Sequence, residues 1–176
     1  MGCGGEMDIL THLSIPLIAV CVIGVAGVKS PYLFLLSFFA ILPDFDVFLG
    51  VHRGLLHSLL VLIPLSASIM LLEYLVKNRI KYSVLAVFFL FSHIFLDFLS
   101  GGVPFLYPLI NTGVGIEFPF VIEFGSSVTV TEFLPKFVYF TPESVHGRSF
   151  NAFSGFGVVS LILFAVVYWR GSGWVR

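Results

Sequence analysis

Seven side chains with the chemistry of metal ligands stand inside or beside the apolar stretches of this sequence: His12, Asp44, Asp46, His52, His57, His93 and Asp97. Imidazole nitrogen and carboxylate oxygen together form a usual donor set for zinc, and also for manganese or iron. Their spacing adds direction. His93 and Asp97 lie four residues apart and so share one face of a helix. Pro43 ends regular helix within Leu42-Pro43-Asp44-Phe45-Asp46, which lets two carboxylates turn toward a common centre. His52 and His57 flank a turn that holds Arg53 and Gly54. A divalent ion in such a setting brings the pKa of bound water toward neutrality, which is the chemistry of hydrolysis. Asp44 or Asp46 can ligate, or act as general base on that water. Arg53 can pair with Asp46, or hold an anionic oxygen such as a phosphate and stabilise charge developing on it. The candidate catalytic residues are therefore Asp44, Asp46 and Arg53. Seven candidate ligands exceed the four of one tetrahedral site, so one ion and a two-metal cluster both remain open.

The elements that must carry these groups are membrane helices. The chain has 176 residues, 58% hydrophobic and 11% charged, with mean hydropathy +1.05. A soluble domain carries about 25% charged residues. Together with a net charge of −1, this excludes an ordinary cytosolic globule, a disordered tail and a nucleic-acid binder with a basic surface. Cys3 and Cys21 make neither a disulfide framework nor a zinc knuckle. Five apolar stretches suggest spans: Ile9–Val28, Tyr32–Gly50, Leu55–Val76, Tyr82–Leu99 and Gly155–Trp169. A crossing helix needs about 20 apolar residues, which the first, third and fourth supply and the second and fifth barely approach. Between the last two lies a Phe-, Gly- and Pro-rich segment, Ser100–Asn151, punctuated too often for a long helix. Within it Ser126–Glu132 alternates polar and apolar residues, as a short strand does. The expectation is an all-α integral membrane protein of about five transmembrane helices. A membrane-embedded site occupies residues 1–110, an extramembrane or surface segment 111–152, and the final helix and tail 153–176.

Charge orients the bundle and sets the depth of the site. Lys77, Arg79 and Lys81 share one tight turn, which the positive-inside rule assigns to the cytoplasm. With Lys29, Arg170 and Arg176, six of the nine basic residues then lie inside, while the N-terminus and the long segment lie outside. At about 1.5 Å per residue, His12 and Asp44 are roughly 25 and 22 Å from Lys29, His93 and Asp97 roughly 18 and 24 Å from Lys81, and His57 roughly 30 Å from Lys77. Across a hydrocarbon core of about 30 Å, these groups occupy the half of the membrane away from the basic turn, toward the extracytoplasmic side. Ionisable groups are costly at such depth, and gathering them at one layer favours a metal centre. A layer near the headgroups, roofed by the Phe-rich segment, suits a lipid or other amphiphilic substrate. The same His and Asp residues would also serve a metal-ion or proton-coupled transporter, which requires polar groups at several depths. Glu73, near the basic turn, is the exception in an inner half otherwise nearly free of them.

Four linked motifs carry a resemblance over roughly residues 8 to 110. They are Leu42-Pro43-Asp44-Phe45-Asp46, His52-Arg53-Gly54-Leu55-Leu56-His57-Ser58, Ser92-His93-Ile94-Phe95-Leu96-Asp97 and Gly102-Val103-Pro104-Phe105-Leu106-Tyr107-Pro108. In that order they resemble the YdjM-like family of membrane-bound, metal-dependent hydrolases, one bacterial member of which is described as LexA-binding. His12 matches an early histidine of the family. The resemblance implies a hydrolase that uses a divalent metal. Val47 stands where many members have His, and Leu56 replaces a Thr, which bears on how many ions are held. The helical His and Asp ligands also look like the architecture of zinc-dependent phospholipases C, an analogy that points to phosphoester chemistry. No resemblance extends past Leu109, which leaves Glu117, Glu123, His146 and Arg148 without a role.

Overall fold

A computed structural model describes residues 8–24, 28, 30–51, 53–117, 121–124, 128–132, 134–142 and 153–171. It is mostly helical: α1 (Ile9–Ile23), α2 (Ser30–Ser37), α3 (Leu59–Lys77), α4 (Lys81–Leu99) and α5 (Gly155–Gly171). Three short 3-10 helices, Phe38–Ala40, Leu42–Leu49 and Leu55–His57, connect α2 to α3. Among the described residues, Ser30–Leu49, Leu59–Lys77 and Lys81–Leu99 are long and apolar enough to cross a membrane, and α1 and α5 are shorter apolar helices. The chain is thus an all-α membrane protein with a small β appendage.

Local chemistry sets where these helices begin and end. Asp8 caps α1 by accepting from Thr11 N, and Gly24 closes it in the left-handed conformation that glycine adopts without strain. The first helix therefore stops at Ile23, short of the expected Val28. The second apolar stretch is not one helix. Pro43 sits in the first turn of Leu42–Leu49, where its missing N–H costs nothing, and the winding there is 3-10. The third helix starts at Leu59 rather than Leu55, because Ser58 caps it by accepting from Leu60 N. The start of α4 lacks a local cap and borrows one from α3, as Glu73 accepts from Tyr82 N and Ser83 N at 3.2 and 2.6 Å.

Two buried clusters hold the bundle. Leu17, Val20, Leu33, Leu85, Phe89 and Phe164 join α1, α2, α4 and α5. Leu62, Leu90, Ile94 and Val103 join α3, α4 and the chain that follows. A polar seam ties α1 to α5: Asp8 accepts from the Thr11 hydroxyl at 2.8 Å and from Ser154, while Ser14 and Ser160 bond each other. By contrast α3 buries little, and Ile63, Leu71, Leu72, Leu75 and Val76 are exposed. An apolar face of that extent is what lipid covers.

The long segment carries four strands: β1 (Gly113–Glu117), β2 (Val121–Phe124), β3 (Val128–Glu132) and β4 (Lys136–Phe140). Antiparallel pairing joins β1 to β4, with Gly113 opposite Phe140, and β2 to β3. The strand expected at Ser126–Glu132 is β3 where described. The β1–β4 ribbon is fastened to the helical core, since Val103 and Val114 exchange backbone bonds of 2.9 and 3.1 Å. Gly102 and Gly115 allow that approach: a Cβ on Gly115 would lie 2.3 Å from Gly102 Cα.

Candidate metal centre

The centre forms where α1, α4 and two of the 3-10 helices meet. On α4, the four-residue spacing stacks His93 over Asp97, with His93 Nε2 3.3 Å from Asp97 Oδ2. His57 closes the Leu55–His57 turn and brings its Nε2 to 3.0 Å from Asp97 Oδ2 and 3.2 Å from His93 Nε2. Asp44 approaches from Leu42–Leu49, its Oδ1 3.5 Å from His93 Nε2. His12 comes from α1, stacked on His93 with ring centroids 4.0 Å apart and its Nε2 3.4 Å from Asp97 Oδ1. His12, His57 and His93 are fully enclosed, and Asp97 nearly so. Asp44 is the most open of the group, with 17% of its side chain exposed.

The remote nitrogens of two imidazoles fix what the near ones present. His93 Nδ1 lies 2.7 Å from the Ala40 carbonyl, which can only accept, so Nδ1 carries the proton. His57 Nδ1 donates to Asp46 Oδ2 at 2.9 Å. In the neutral rings both Nε2 atoms are then bare lone pairs, facing each other and the oxygens of Asp97 and Asp44. Four acceptors converge within 3.0–3.5 Å contacts. Such an assembly is stable only around positive charge. Ligand bonds of about 2.0–2.1 Å in a tetrahedral site place donor atoms about 3.3 Å apart, close to the 3.0–3.3 Å spacing among His57 Nε2, His93 Nε2 and Asp97 Oδ2. Two groups can hold an ion by proximity, Asp44–His57–His93 and His12–His93–Asp97, and they share His93.

The two carboxylates of Leu42-Pro43-Asp44-Phe45-Asp46 part company. In a 3-10 helix, residues two apart point about 240° from each other. Asp44 faces the centre. Asp46 turns to the chain ahead, where Oδ2 accepts from Gly54 N at 2.8 Å, Leu56 N at 2.9 Å and His57 Nδ1. Asp46 thus holds the Gly54–His57 turn and orients His57, and it belongs to neither of the groups that could hold an ion.

Arg53 pairs with Asp97 and not with Asp46: its NH2 group donates to Asp97 Oδ1 at 3.1 Å. The residue is 9% exposed and adopts a left-handed φ of 54°. Gly101 makes room for it, since a Cβ there would lie 2.9 Å from Arg53 NH1, and the Phe140 ring lies 6.0 Å from the guanidinium carbon. Neither the Arg53–Asp97 pair nor the Ala40 carbonyl follows from sequence; the Gly101-Gly102 pair closing α4 was the nearest available signal. His52 lies outside the described residues, as do His146, Arg148 and the side chain of Glu123. Glu117, opposite Lys136 in the β1–β4 ribbon, is not among the residues that meet at the centre.

Searches of curated proteins and of solved structures found no match. A family model described as YdjM inner membrane protein matches residues 7–174. The likeness therefore runs well past Leu109, where the motifs alone end, and takes in the strands and α5. With nearly the whole length matched, the chain belongs to the YdjM inner membrane protein family.

Proposed function

We propose that this protein is a membrane-bound, metal-dependent hydrolase that acts on a lipid or lipid-linked phosphoester. The observation that carries this reading is the convergence of His57 Nε2, His93 Nε2 and oxygens of Asp97 and Asp44, with each imidazole held from behind by an acceptor. These four residues would hold a divalent ion, zinc foremost by its donor set. Bound there, such an ion supplies Lewis acidity and a water that ionises near neutral pH. Asp46 and the Ala40 carbonyl keep the two imidazoles in the metal-binding tautomer. Asp44 marks the side open to water and substrate. An amphiphilic substrate is supported by the apolar rim on the same short helices, where Phe45, Phe48, Leu49 and Leu55 are exposed beside Asp44 and ahead of His57.

The test is elemental analysis of detergent-purified protein, with His93→Ala and Asp44→Ala alongside. Near-stoichiometric metal in the wild type, lost from both variants, is expected. A screen on p-nitrophenyl phosphodiesters and lipid extracts should then find metal-dependent turnover. Metal flux into liposomes without turnover would replace the hydrolase by a transporter. A wild-type protein that holds no metal would end the proposal.

A further inference from the structure

Asp97 uses its two oxygens differently. Oδ2 faces His57 and His93, while Oδ1 faces His12 Nε2 at 3.4 Å and receives the Arg53 guanidinium at 3.1 Å. A two-metal reading of the centre would place its second ion here, between His12, His93 and Asp97. Two features oppose that. His93 has given Nδ1 to the Ala40 carbonyl, so only Nε2 remains, and one lone pair cannot serve two ions. The position beside Oδ1 also already holds a permanent positive charge.

The placement of Arg53 is costly. Its backbone takes a left-handed conformation that non-glycine residues avoid, Gly101 lacks the Cβ that would crowd its NH1, and its Nε is buried with no hydrogen-bond partner among the described residues. Such an outlier points from structure to function. A buried guanidinium N–H without an acceptor is satisfied by an anionic oxygen, and arginine is suited to phosphate.

We infer that the centre takes one divalent ion, that Arg53 occupies the place of a second cation beside Asp97, and that its Nε–H donates to an anionic oxygen of a phosphate-type group. The inference rests on the hydrolase reading and narrows its substrate class to phosphate esters. The ion and Arg53 would then border Asp97 through its two oxygens, and the Phe140 ring lies 6.0 Å from the guanidinium carbon.

The test uses full-length protein in nanodiscs, loaded with zinc and dialysed free of excess. Metal content is read first, then binding of inorganic phosphate by calorimetry, for wild type, Arg53→Ala and Arg53→Lys. We expect one zinc per wild-type chain. Phosphate affinity should fall about tenfold or more in both variants, as loss of a charge-assisted bond requires. The lysine variant keeps the charge beside Asp97 and its zinc, so its loss of phosphate isolates the guanidinium donor. Two zinc ions in the wild type overturn the inference. So does unchanged phosphate affinity in either variant that retains zinc. A wild type that binds no zinc defeats the hydrolase reading itself, whereas one zinc without phosphate binding defeats only this inference. Competition by glycerol phosphate in solution against phosphatidate in the nanodisc distinguishes a soluble ester from a lipid headgroup.

Discussion

On the proposed reading, replacing Asp46 by asparagine separates a residue that positions His57 from Asp44, which would bind the ion itself. The wild-type carboxylate accepts from Gly54 N, Leu56 N and His57 Nδ1, mostly through Oδ2. An asparagine must turn its single oxygen to that position to keep Gly54 and His57. Its amide then stands where Oδ1 was, so the Leu56 N–H, which shares both carboxylate oxygens at 2.9 Å, keeps only the one at the Oδ2 position and faces an N–H at the other. A part-buried donor that loses one of two acceptors should cost about 1 kcal/mol of stability, the low end of the penalty for a donor left wholly unsatisfied. The neutral oxygen also orients His57 less strongly, and loss of such an outer partner lowers metal affinity by about 10–100-fold, or roughly 1.4–2.7 kcal/mol. Asp44→Asn should behave in the opposite way. Asp44 is partly exposed and its carboxylate faces His93 at 3.5 Å, so metal-free stability should hardly change while zinc affinity falls by more than that of Asp46→Asn. Chelator competition gives the affinities in detergent, and thermal unfolding of the metal-free proteins gives the stabilities. If Asp46→Asn binds zinc as the wild type does, or if the two variants lose affinity and stability alike, the division of labour argued from the 3-10 winding is wrong.

Two further outcomes follow from contacts away from the ligands. Gly115→Ala forces a Cβ to within 2.3 Å of the Gly102 backbone, which cannot yield as a flexible side chain would. It should cost about 1–3 kcal/mol or more and free the β1–β4 ribbon from α4, measured by thermal unfolding and by protease access to the ribbon. Burial raises the Asp8 carboxyl, but hydrogen bonds from Ser154 and Thr11 outweigh it and hold the pKa below its ordinary value. Its contribution to stability is therefore present above the unfolded-state pKa near 4 and is lost as pH falls through the lower folded value. Melting temperature should drop below about pH 4 in the wild type, and Asp8→Asn should remove that part of the drop.

Much of this architecture was written in residue types. Apolar length placed the helices in a membrane, and helical periodicity alone put His93 and Asp97 on one face. Where the expected helices shifted, the cause was local: Gly24 closes α1 early, and Ser58 starts α3 late. The choice between neighbouring carboxylates was not legible. Asp44 and Asp46 are chemically identical and two residues apart, and only the tight turn after Pro43 sends one to the centre and the other to Gly54, Leu56 and His57.

Sequence by itself determined which atoms are able to bind a cation and that the surrounding solvent is lipid, because ligand chemistry and hydropathy belong to single residues. Tertiary structure decided which atoms meet. The Ala40 carbonyl behind His93 and Arg53 against Asp97 are contacts over 53 and 44 residues of chain, created by the packing of separate elements. A side chain's capacity is local, but its partner depends on where the rest of the chain has been placed.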